Sequence, residues 1–229
     1  DDDGGEEEGE CITVDFDTDA HGNAIQAGQD LSNAYAADGL YTFVINNKSY
    51  WTYGLPIAFD SAHPTGGDDD LGTPNEAFGG PGEGDAGAAT NSVALGNLLI
   101  SAENFYDSNH DGLIDDPDDD ANGAYFIFYW DTPTCVKSID LVDFEKSADF
   151  YVYDENGNQF DVTWDGGLGD NSVETVDLDF SGVSYLLIDS KKSGAVDNLV
   201  YCSEGLPEGD ECDGGDNDGD GYVDEDAAD

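Results

Sequence analysis

The chain has 229 residues and a formal net charge of −49, which comes from 40 aspartates and 14 glutamates against five lysines and no arginine. Five cations cannot neutralise a phosphate track, so this balance excludes binding to nucleic acid and to anionic membrane surfaces. Hydrophobic residues make up 38% and aromatic residues 11% of the chain, which is enough for a folded core, and no apolar stretch approaches the roughly 20 residues of a membrane span.

The excess of Asp over Glu indicates that the acid lies in turns and loops, where a short carboxylate reaches the backbone or a metal ion. Like charge packed into loops repels itself unless cations neutralise it, and Ca²⁺ is the hard cation that binds such oxygens. We therefore expect several bound Ca²⁺ ions, roughly two to four. Adaptation to a high-salt medium is the alternative explanation of the acidity, although it does not account for the preference for Asp.

The chain divides into three segments by composition. Residues 1–10 are glycine and acid only and are predicted to be an acidic linker. Residues 11–203 form the body, which alternates apolar and polar residues in short runs rich in Val, Ile, Tyr and Phe, the pattern of half-buried strands. Residues 204–229 are again rich in glycine and acid, and are predicted to be an acidic calcium-loop tail.

The alternating runs predict about eight short strands, and residues 31–38 allow one or two helical turns. Asn156-Gly157 supplies a tight turn between strands at 150–154 and 159–163. This pattern indicates an all-β fold, a jelly-roll-like antiparallel β-sandwich with calcium-binding loops. In chain order the runs are 11–17, 40–45, 124–130, 138–144, 150–153, 174–180, 184–188 and 196–201.

The four cysteines, Cys11, Cys135, Cys202 and Cys212, contain no CxxC pair, which argues against zinc and for two disulfides in an oxidising compartment. The protein is therefore expected outside the cell or at its surface. The first and last strands of such sandwiches often pair antiparallel, which predicts Cys11–Cys202 and, by elimination, Cys135–Cys212. The pairing Cys11–Cys135 with Cys202–Cys212 remains open.

The clearest candidate metal site is the loop at residues 107–118, DSNHDGLIDDPD. Its spacing places oxygen ligands at positions 1, 3, 5, 7 and 9 of a calcium loop and glycine at position 6, where the chain must turn sharply. Position 12 is Asp in place of the usual Glu, and the flanks are not helical, so we expect a calcium loop outside an EF-hand; the alternative is a merely acidic turn. The ligands are Asp107, Asn109, Asp111, the carbonyl of Leu113, Asp115 and Asp118.

A second candidate loop, DNDGDGYVDED, lies in the tail at residues 216–226. Together with the preceding ECDGG it resembles the metal-binding repeat of secreted bacterial surface proteins, Cys-Asp-Gly-x-Asp-Asn-Asp-Cys-Asp-Gly-x-x-Asp-Glu, and the calcium loops of thrombospondin type 3 and dockerin domains. Gly219 stands where that repeat has its second cysteine, so Cys212 must pair elsewhere. The ligands that the spacing implies are Asp216, Asp218, Asp220, the carbonyl of Tyr222, and Asp224.

Most of the body resembles a β-sandwich domain of unassigned function that recurs in secreted bacterial surface proteins. The stretches that carry this resemblance include VDFDTDAHGNAIQAG, FDSAHPTGGDDDLGTPNEAFGGPG, DDPDDDANGAYFIFYWDTP and YDENGNQF. The resemblance implies the fold, export and metal binding, and it implies no catalytic residues.

Two further carboxylate sets are candidate ion ligands. Asp60, Asp68 and Asp70 lie in a Gly-rich loop and are expected to face Asp116, Asp118 and Asp120, unless this is a plain structural Ω-loop. The alternating Asp15, Asp17 and Asp19 share one face, which Asp197 joins if the first and last strands pair. The alternative for that second set is solvated edge charge.

Function is predicted from these sites. The sequence contains no Gly-x-Ser-x-Gly nucleophile elbow, no Gly-rich phosphate-binding loop and no HExxH spacing. We therefore expect that the protein is not an enzyme. The main hypothesis is an extracellular calcium-binding structural or adhesive protein that self-associates or contacts a matrix or cell-surface component. The alternative is a calcium-dependent carbohydrate-binding module that stacks glycans on Trp51, Tyr53 and Trp164.

Overall fold

The computed structural model describes residues 11–46, 52–85 and 87–203. This part of the chain contains ten strands, all paired antiparallel, with one short α-helix, α1 (Gly87–Thr90), and three 3₁₀ turns. None of its helices is long and apolar enough to cross a membrane. The strands are β1 (Cys11–Val14), β2 (Leu40–Asn46), β3 (Thr52–Tyr53), β4 (Pro56–Asp60), β5 (Asn97–Ser101), β6 (Ala124–Val142), β7 (Ala148–Asp154), β8 (Gln159–Trp164), β9 (Val173–Ser190) and β10 (Ala195–Ser203).

Two long strands, β6 and β9, connect the layers of the sandwich. The first half of β6 pairs with β2 and with the end of β9, whereas its second half pairs with β10 and with the start of β9. The register shifts between Tyr129 and Thr134, where β6 passes from one layer to the other. One layer therefore has the order β3-β2-β6-β9-β7-β8 and the other β4-β5-β10-β6-β9, with β1 on β10.

The main core lies between the two layers. Strands of the first layer contribute Phe126, Phe128 and Phe150, and those of the second contribute Ile139 and Leu199, all buried. The side chains alternate along these strands, so the same strands present an outer face on the other side.

A second, smaller core lies on the far side of the β4-β5-β10 layer. Ile57, Phe59, Leu98 and Ile100 point into it, together with Leu71 from a 3₁₀ turn in the long loop between β4 and β5. The loops that carry most of the acid are thus anchored on this layer by apolar contacts.

The all-β sandwich predicted from the alternating runs is confirmed, including the hairpin of β7 and β8. Two features differ from the prediction. Runs 124–130 and 138–144 fall in the single strand β6 or just beyond its end, runs 174–180 and 184–188 both fall in β9, and β3, β4 and β5 were missed. The latter two are covered on both faces, so their sequences PIAFD and NLLIS do not alternate. Residues 31–38 contain only a 3₁₀ turn, Ala36–Asp38.

The predicted disulfide Cys11–Cys202 is confirmed, since β1 and β10 pair with these two residues in register. This excludes the alternative Cys11–Cys135 bond. Cys135 is also disulfide-bonded and lies buried beside Cys202. Its predicted partner, Cys212, lies outside the described residues, as do the segments 1–10 and 204–229.

Candidate metal centre and adjoining surfaces

Two acidic loops, one after β4 and one before β6, are held against each other. The hydroxyl of Thr65 donates to the carbonyl of Pro117 at 2.7 Å. Gly66, at φ +71°, lies so close to Asp118 that a Cβ at this position would come within 2.7 Å of the Asp118 Cβ. Only glycine tolerates both that backbone conformation and that approach. The contact brings carboxylates that are distant in sequence to one place.

The first carboxylate cluster consists of Asp68, Asp118 and Asp119, whose oxygens lie within 4.8 Å of one another. The Asp119 amide donates to Asp68 Oδ2 at 2.9 Å, which fixes the two residues relative to each other. Asp119 is only 3% exposed, and it accepts hydrogen bonds from the Gly194 amide at 2.8 Å and the Ser193 hydroxyl at 3.1 Å. The cluster is therefore anchored to the turn between β9 and β10.

Burial and mutual repulsion disfavour negative charge in this first cluster. Burial raises the pKa of Asp68 to about 8, and the neighbouring Asp119 carboxylate adds to the rise. Burial likewise raises the pKa of Asp119 to about 6, and the pKa of Asp118 is raised by burial too. A bound cation would remove this penalty by compensating the charge.

The second carboxylate cluster consists of Asp70, Asp143 and Asp170, again with oxygens within 4.8 Å. Asp143 follows β6 with a left-handed φ of 60° and is 2% exposed; its Oδ1 accepts from the Asn171 amide at 2.6 Å. The Asn171 side chain in turn donates to the carbonyls of Asp70 and Gly72 at 2.7 and 2.8 Å. Asn171, which follows Asp170 in sequence, therefore ties together the three segments that supply this cluster.

The second cluster has the same electrostatic character as the first. Burial raises the pKa of Asp143 to about 8, with Asp70 as the largest charged contributor, and burial raises the pKa of Asp70 itself. Asp70 also raises the pKa of Asp119, so the two clusters are electrostatic neighbours. Asp70 Oδ1 is buried and has no hydrogen-bond partner.

The chemistry of these clusters fits a hard cation. Every ligand atom they offer is a carboxylate oxygen, the donor that Ca²⁺ takes in a shell of roughly six to eight oxygens. Backbone carbonyls and water would complete such a shell. The unpartnered oxygen of Asp70 is the kind of buried group that an ion satisfies.

The predicted Asp60–Asp68–Asp70 site is divided by the structure. Asp68 meets Asp118, as predicted, and also Asp119, which was not predicted, whereas Asp70 lies in the second cluster. Asp60 is in neither cluster. It pairs with exposed His63 at 2.8 Å and caps the Ala62 amide at 2.9 Å, because it ends β4 and closes a turn there.

The predicted ligands of the loop at 107–118 are also separated in the structure. Asp107, Asn109 and Asp111 turn inward onto the loop's own amides, with the Gly112 amide donating to Asp107 at 3.0 Å and the Leu113 amide to Asp111 at 2.9 Å. Asp115 instead accepts hydrogen bonds from Ser108. Asp118 does not close this loop, because it lies in the first cluster.

The other flanking acids are placed as follows. The Asp116 carbonyl accepts from the Asn104 side chain, and buried Asp120 caps the Asn122 amide. The candidate ligands Asp216, Asp218, Asp220, Tyr222 and Asp224 lie outside the described residues.

Sequence reasoning missed Asp119, Asp143 and Asp170 as cluster members. Asp119 is one of several consecutive acids in a DDPDDD run, and spacing alone does not single it out. Asp143 did carry a signal, since it interrupts the apolar run LVDF at the end of a strand. A charge at such a point is costly unless it has a partner.

An open groove of about 460 Å³ adjoins the first cluster. It is lined by Glu103, Asn104, Phe105, Tyr106 and Asp118. Phe105 is 51% exposed and Tyr106 75% exposed, and the groove is of the size that small ligands occupy. The sequence signal for this groove is the pair of adjacent aromatics in a polar, acidic segment.

Backbone hydrogen bonds hold the aromatic segment of this groove against the acidic loop. The Glu103 amide donates to the Asp118 carbonyl at 2.8 Å, and the Asp115 amide donates to the Tyr106 carbonyl at 2.7 Å. The position of the aromatic rings therefore depends on the conformation of residues 115–118.

The predicted stacking residues are not all available as exposed rings. Trp164 ends β8 half-buried, packs edge-on against Phe144 at 6.4 Å, and donates from its indole nitrogen to Glu174 at 3.2 Å. Gly166 also covers its ring. This position does not fit an exposed stacking role. Trp51 and the side chain of Tyr53 lie outside the described part of the chain.

The outer face of the first layer carries a row of four tyrosines, named the tyrosine row. Strand register places Tyr41 beside Tyr129, Tyr129 beside Tyr185, and Tyr185 beside Tyr153. Ring centroids are 6.1 Å apart in the first pair and 5.7 Å in the last. All four side chains are partly exposed, because their neighbours in sequence point into the core.

No protein-family model matches the chain, and no curated protein is similar to it. Solved structures similar to it include discoidin II from Dictyostelium discoideum (9% identity, 73% of this chain and 56% of that one, TM-score 0.34). A fucose-binding module from Streptococcus pneumoniae is 12% identical over 63% of this chain and 94% of that one, with a TM-score of 0.28.

The family 32 carbohydrate-binding module of NanJ from Clostridium perfringens, in complex with galactose, is 18% identical over 36% of this chain and 68% of that one, with a TM-score of 0.26. The chain spans about two thirds of the length of several such structures, 66 or 67%. At these identities and TM-scores the likeness carries no argument about function.

Proposed function

We propose that this domain is an extracellular, non-catalytic carbohydrate-binding module whose binding groove is held in shape by Ca²⁺. The observation that carries the proposal is the position of Asp118, which belongs to the first carboxylate cluster and also lines the groove beside Phe105 and Tyr106. An ion bound by Asp68, Asp118 and Asp119 would fix the loop to which the aromatic segment is hydrogen-bonded. Calcium binding and ligand binding are then linked through one residue.

The groove offers the two kinds of contact that a sugar needs. The exposed faces of Phe105 and Tyr106 can stack on the apolar face of a sugar ring. Glu103 and Asn104 supply acceptors, and Asn104 also a donor, for its hydroxyl groups. The formal charge of −49 disfavours anionic ligands, so the proposed ligand class is neutral glycans.

Substitution of the groove aromatics tests the proposal. We expect Phe105→Ala and Tyr106→Ala each to weaken binding of a neutral glycan at least about tenfold, equivalent to about 1.4 kcal/mol, because each removes a stacking face. The measurement is a glycan array in Ca²⁺ followed by titration calorimetry with the best ligand. Chelator is expected to abolish the same binding.

Phe78→Ala is the matched control, because Phe78 is a 50% exposed phenylalanine that does not line the groove. It is expected to bind like the wild type. Wild-type protein that binds no glycan in Ca²⁺, or groove variants that bind as tightly as Phe78→Ala, would contradict the proposal.

A structural or adhesive role in a surface assembly is the second candidate function, and the tyrosine row supports it. Tyrosine is enriched at protein interfaces because its ring is apolar and its hydroxyl hydrogen-bonds. The row extends across four strands on a sheet face, a flat surface suited to a second copy or to a matrix protein.

Self-association distinguishes the two functions. If the tyrosine row is an assembly surface, the wild type in Ca²⁺ should form larger species in sedimentation velocity. The double variant Tyr129→Ser/Tyr185→Ser should shift the dissociation constant at least about tenfold. Phe105→Ala should leave it unchanged. A wild type that remains monomeric in Ca²⁺ at all concentrations would exclude self-assembly through this face.

A further inference from the structure

Asp197, in the middle of β10, is a fully buried carboxylate without a side-chain partner. It is 0% exposed, no side chain donates a hydrogen bond to either of its oxygens, and the adjacent Asn198 amide only partly offsets the cost of its burial. An unpaired charge in a protein interior is among the most costly features that a fold can carry. Such a group calls for an explanation, which is either a retained proton or a bound ion.

The neighbouring strands do not supply that partner. Asp197 pairs in register with Asp140 of β6, but Asp140 already accepts from the Thr175 hydroxyl and from the Asn198 side chain, the latter at 2.8 Å. The register of β10 shifts immediately after Asp197, and Asn198 adopts a left-handed φ of 47°. The strand is therefore irregular at this carboxylate.

The chain that leaves β1 brings two further carboxylates to the same place. Val14 pairs with Leu199, so Asp15 follows β1 opposite the irregular part of β10. The chain then turns at Phe16, with φ 53°, and Asp17 accepts a hydrogen bond from the Asn97 amide of β5 at 2.8 Å. Since β5 also pairs with β10 through Leu99 and Val196, all three strands meet around Asp197.

We propose that Asp197, Asp15 and Asp17 form a buried cation site where β1 and β5 meet β10, and that it takes Ca²⁺ or a cation of the same hard type. The oxygens of the three carboxylates do not all lie within 4.8 Å of one another, so a bound ion would draw these side chains together, and neighbouring backbone carbonyls and water would complete the shell. The site is separate from both loop clusters and does not depend on carbohydrate binding.

Two other observations agree with the site. The hydroxyl of buried Tyr35 has no hydrogen-bond partner, and its pKa is raised by burial and then by the charges of Asp15, Asp197, Asp17 and Asp19. Burial, reinforced by Asp140, Asp15 and Asp17, raises the pKa of Asp197 to about 9. A cation would stabilise the ionised form of this carboxyl.

The test is Asp197→Asn, which keeps the shape of the side chain and removes its charge. Calcium is counted by elemental analysis after gel filtration in buffer with Ca²⁺. The variant is expected to hold one ion fewer per chain than the wild type and to gain less thermal stability from Ca²⁺. Asp15→Asn, a half-buried loop position, is expected to lose the same ion if Asp197→Asn fails to fold.

Asp165→Asn serves as the control, because Asp165 is exposed and lies outside every cluster described. Terbium luminescence adds a local readout, since Tb³⁺ bound beside Tyr35 should be sensitised by it and Tyr35→Phe should reduce that emission. An unchanged ion count in both Asp197→Asn and Asp15→Asn would overturn the proposal, and Asp197 would then hold a proton. Loss of the ion with normal glycan binding separates this site from the proposed function.

Discussion

Removal of Ca²⁺ with excess chelator is expected to lower the Tm of this protein by about 10–20 °C. A site held at about 100 times its Kd stabilises the folded state by roughly 2.7 kcal/mol, so two loop clusters contribute about 5 kcal/mol. For a domain of this size each kcal/mol corresponds to about 2–4 °C. The physical cause is that six carboxylates in two adjoining clusters repel one another when no cation lies between them.

Monovalent salt is the control for this experiment. If the acidity is an adaptation to a salty medium, high NaCl or KCl should restore the Tm of the chelated protein, and Ca²⁺ at millimolar concentration should add nothing. If the carboxylate clusters are structural calcium sites, millimolar Ca²⁺ should restore the Tm of the chelated protein more fully than molar NaCl does. Equal Tm values with and without chelator at low salt would exclude such sites.

The pH dependence of stability is expected to change sign with calcium. In metal-free protein, folded-state pKa values of about 6 for Asp119 and about 8 for Asp68 and Asp143 lie above the value of roughly 3.9 for an unfolded Asp. Between those values the folded state binds more protons than the unfolded chain. The free energy of unfolding therefore falls as pH rises from about 4 to about 8.

Bound Ca²⁺ should reverse this trend, because it keeps the same carboxylates ionised in the folded state and lowers their pKa values below that of the unfolded chain. Stability should then rise with pH over the same range and be lost on acidification. Urea midpoints at several pH values, with Ca²⁺ and with chelator, measure both slopes. Asp143→Asn should flatten the chelator curve, whereas parallel slopes in the two conditions would contradict calcium binding at these carboxylates.

Much of the fold was predictable because one face of most strands is buried and the other is not. The alternation in β2 and β7 follows directly from that arrangement. The pairing of β1 with β10 is the one that the cysteines indicated. Strands β4 and β5 were not predictable in this way, because loops cover their second face and their sequences have consecutive apolar residues in place of an alternation.

The candidate sites were less accessible to sequence reasoning than the fold. Spacing identified Asp68, Asp70 and Asp118 as ligand candidates and placed their two loops face to face, but it put Asp68 and Asp70 in one site, whereas the structure places them in two clusters. Asp143 and Asp170 meet Asp70 only because Asn171 ties the loops together. The tyrosine row likewise depends on register across four strands, which no local pattern specifies.

The most direct test of calcium binding by the two carboxylate clusters is a crystal structure of the protein grown with Ca²⁺, with anomalous differences recorded to locate the ions. We expect anomalous peaks at the Asp68–Asp118–Asp119 and Asp70–Asp143–Asp170 clusters, with carboxylate oxygens at about 2.3–2.6 Å. Carboxylates at both clusters that share protons in short hydrogen bonds, with no anomalous peak between them at saturating Ca²⁺, would contradict it.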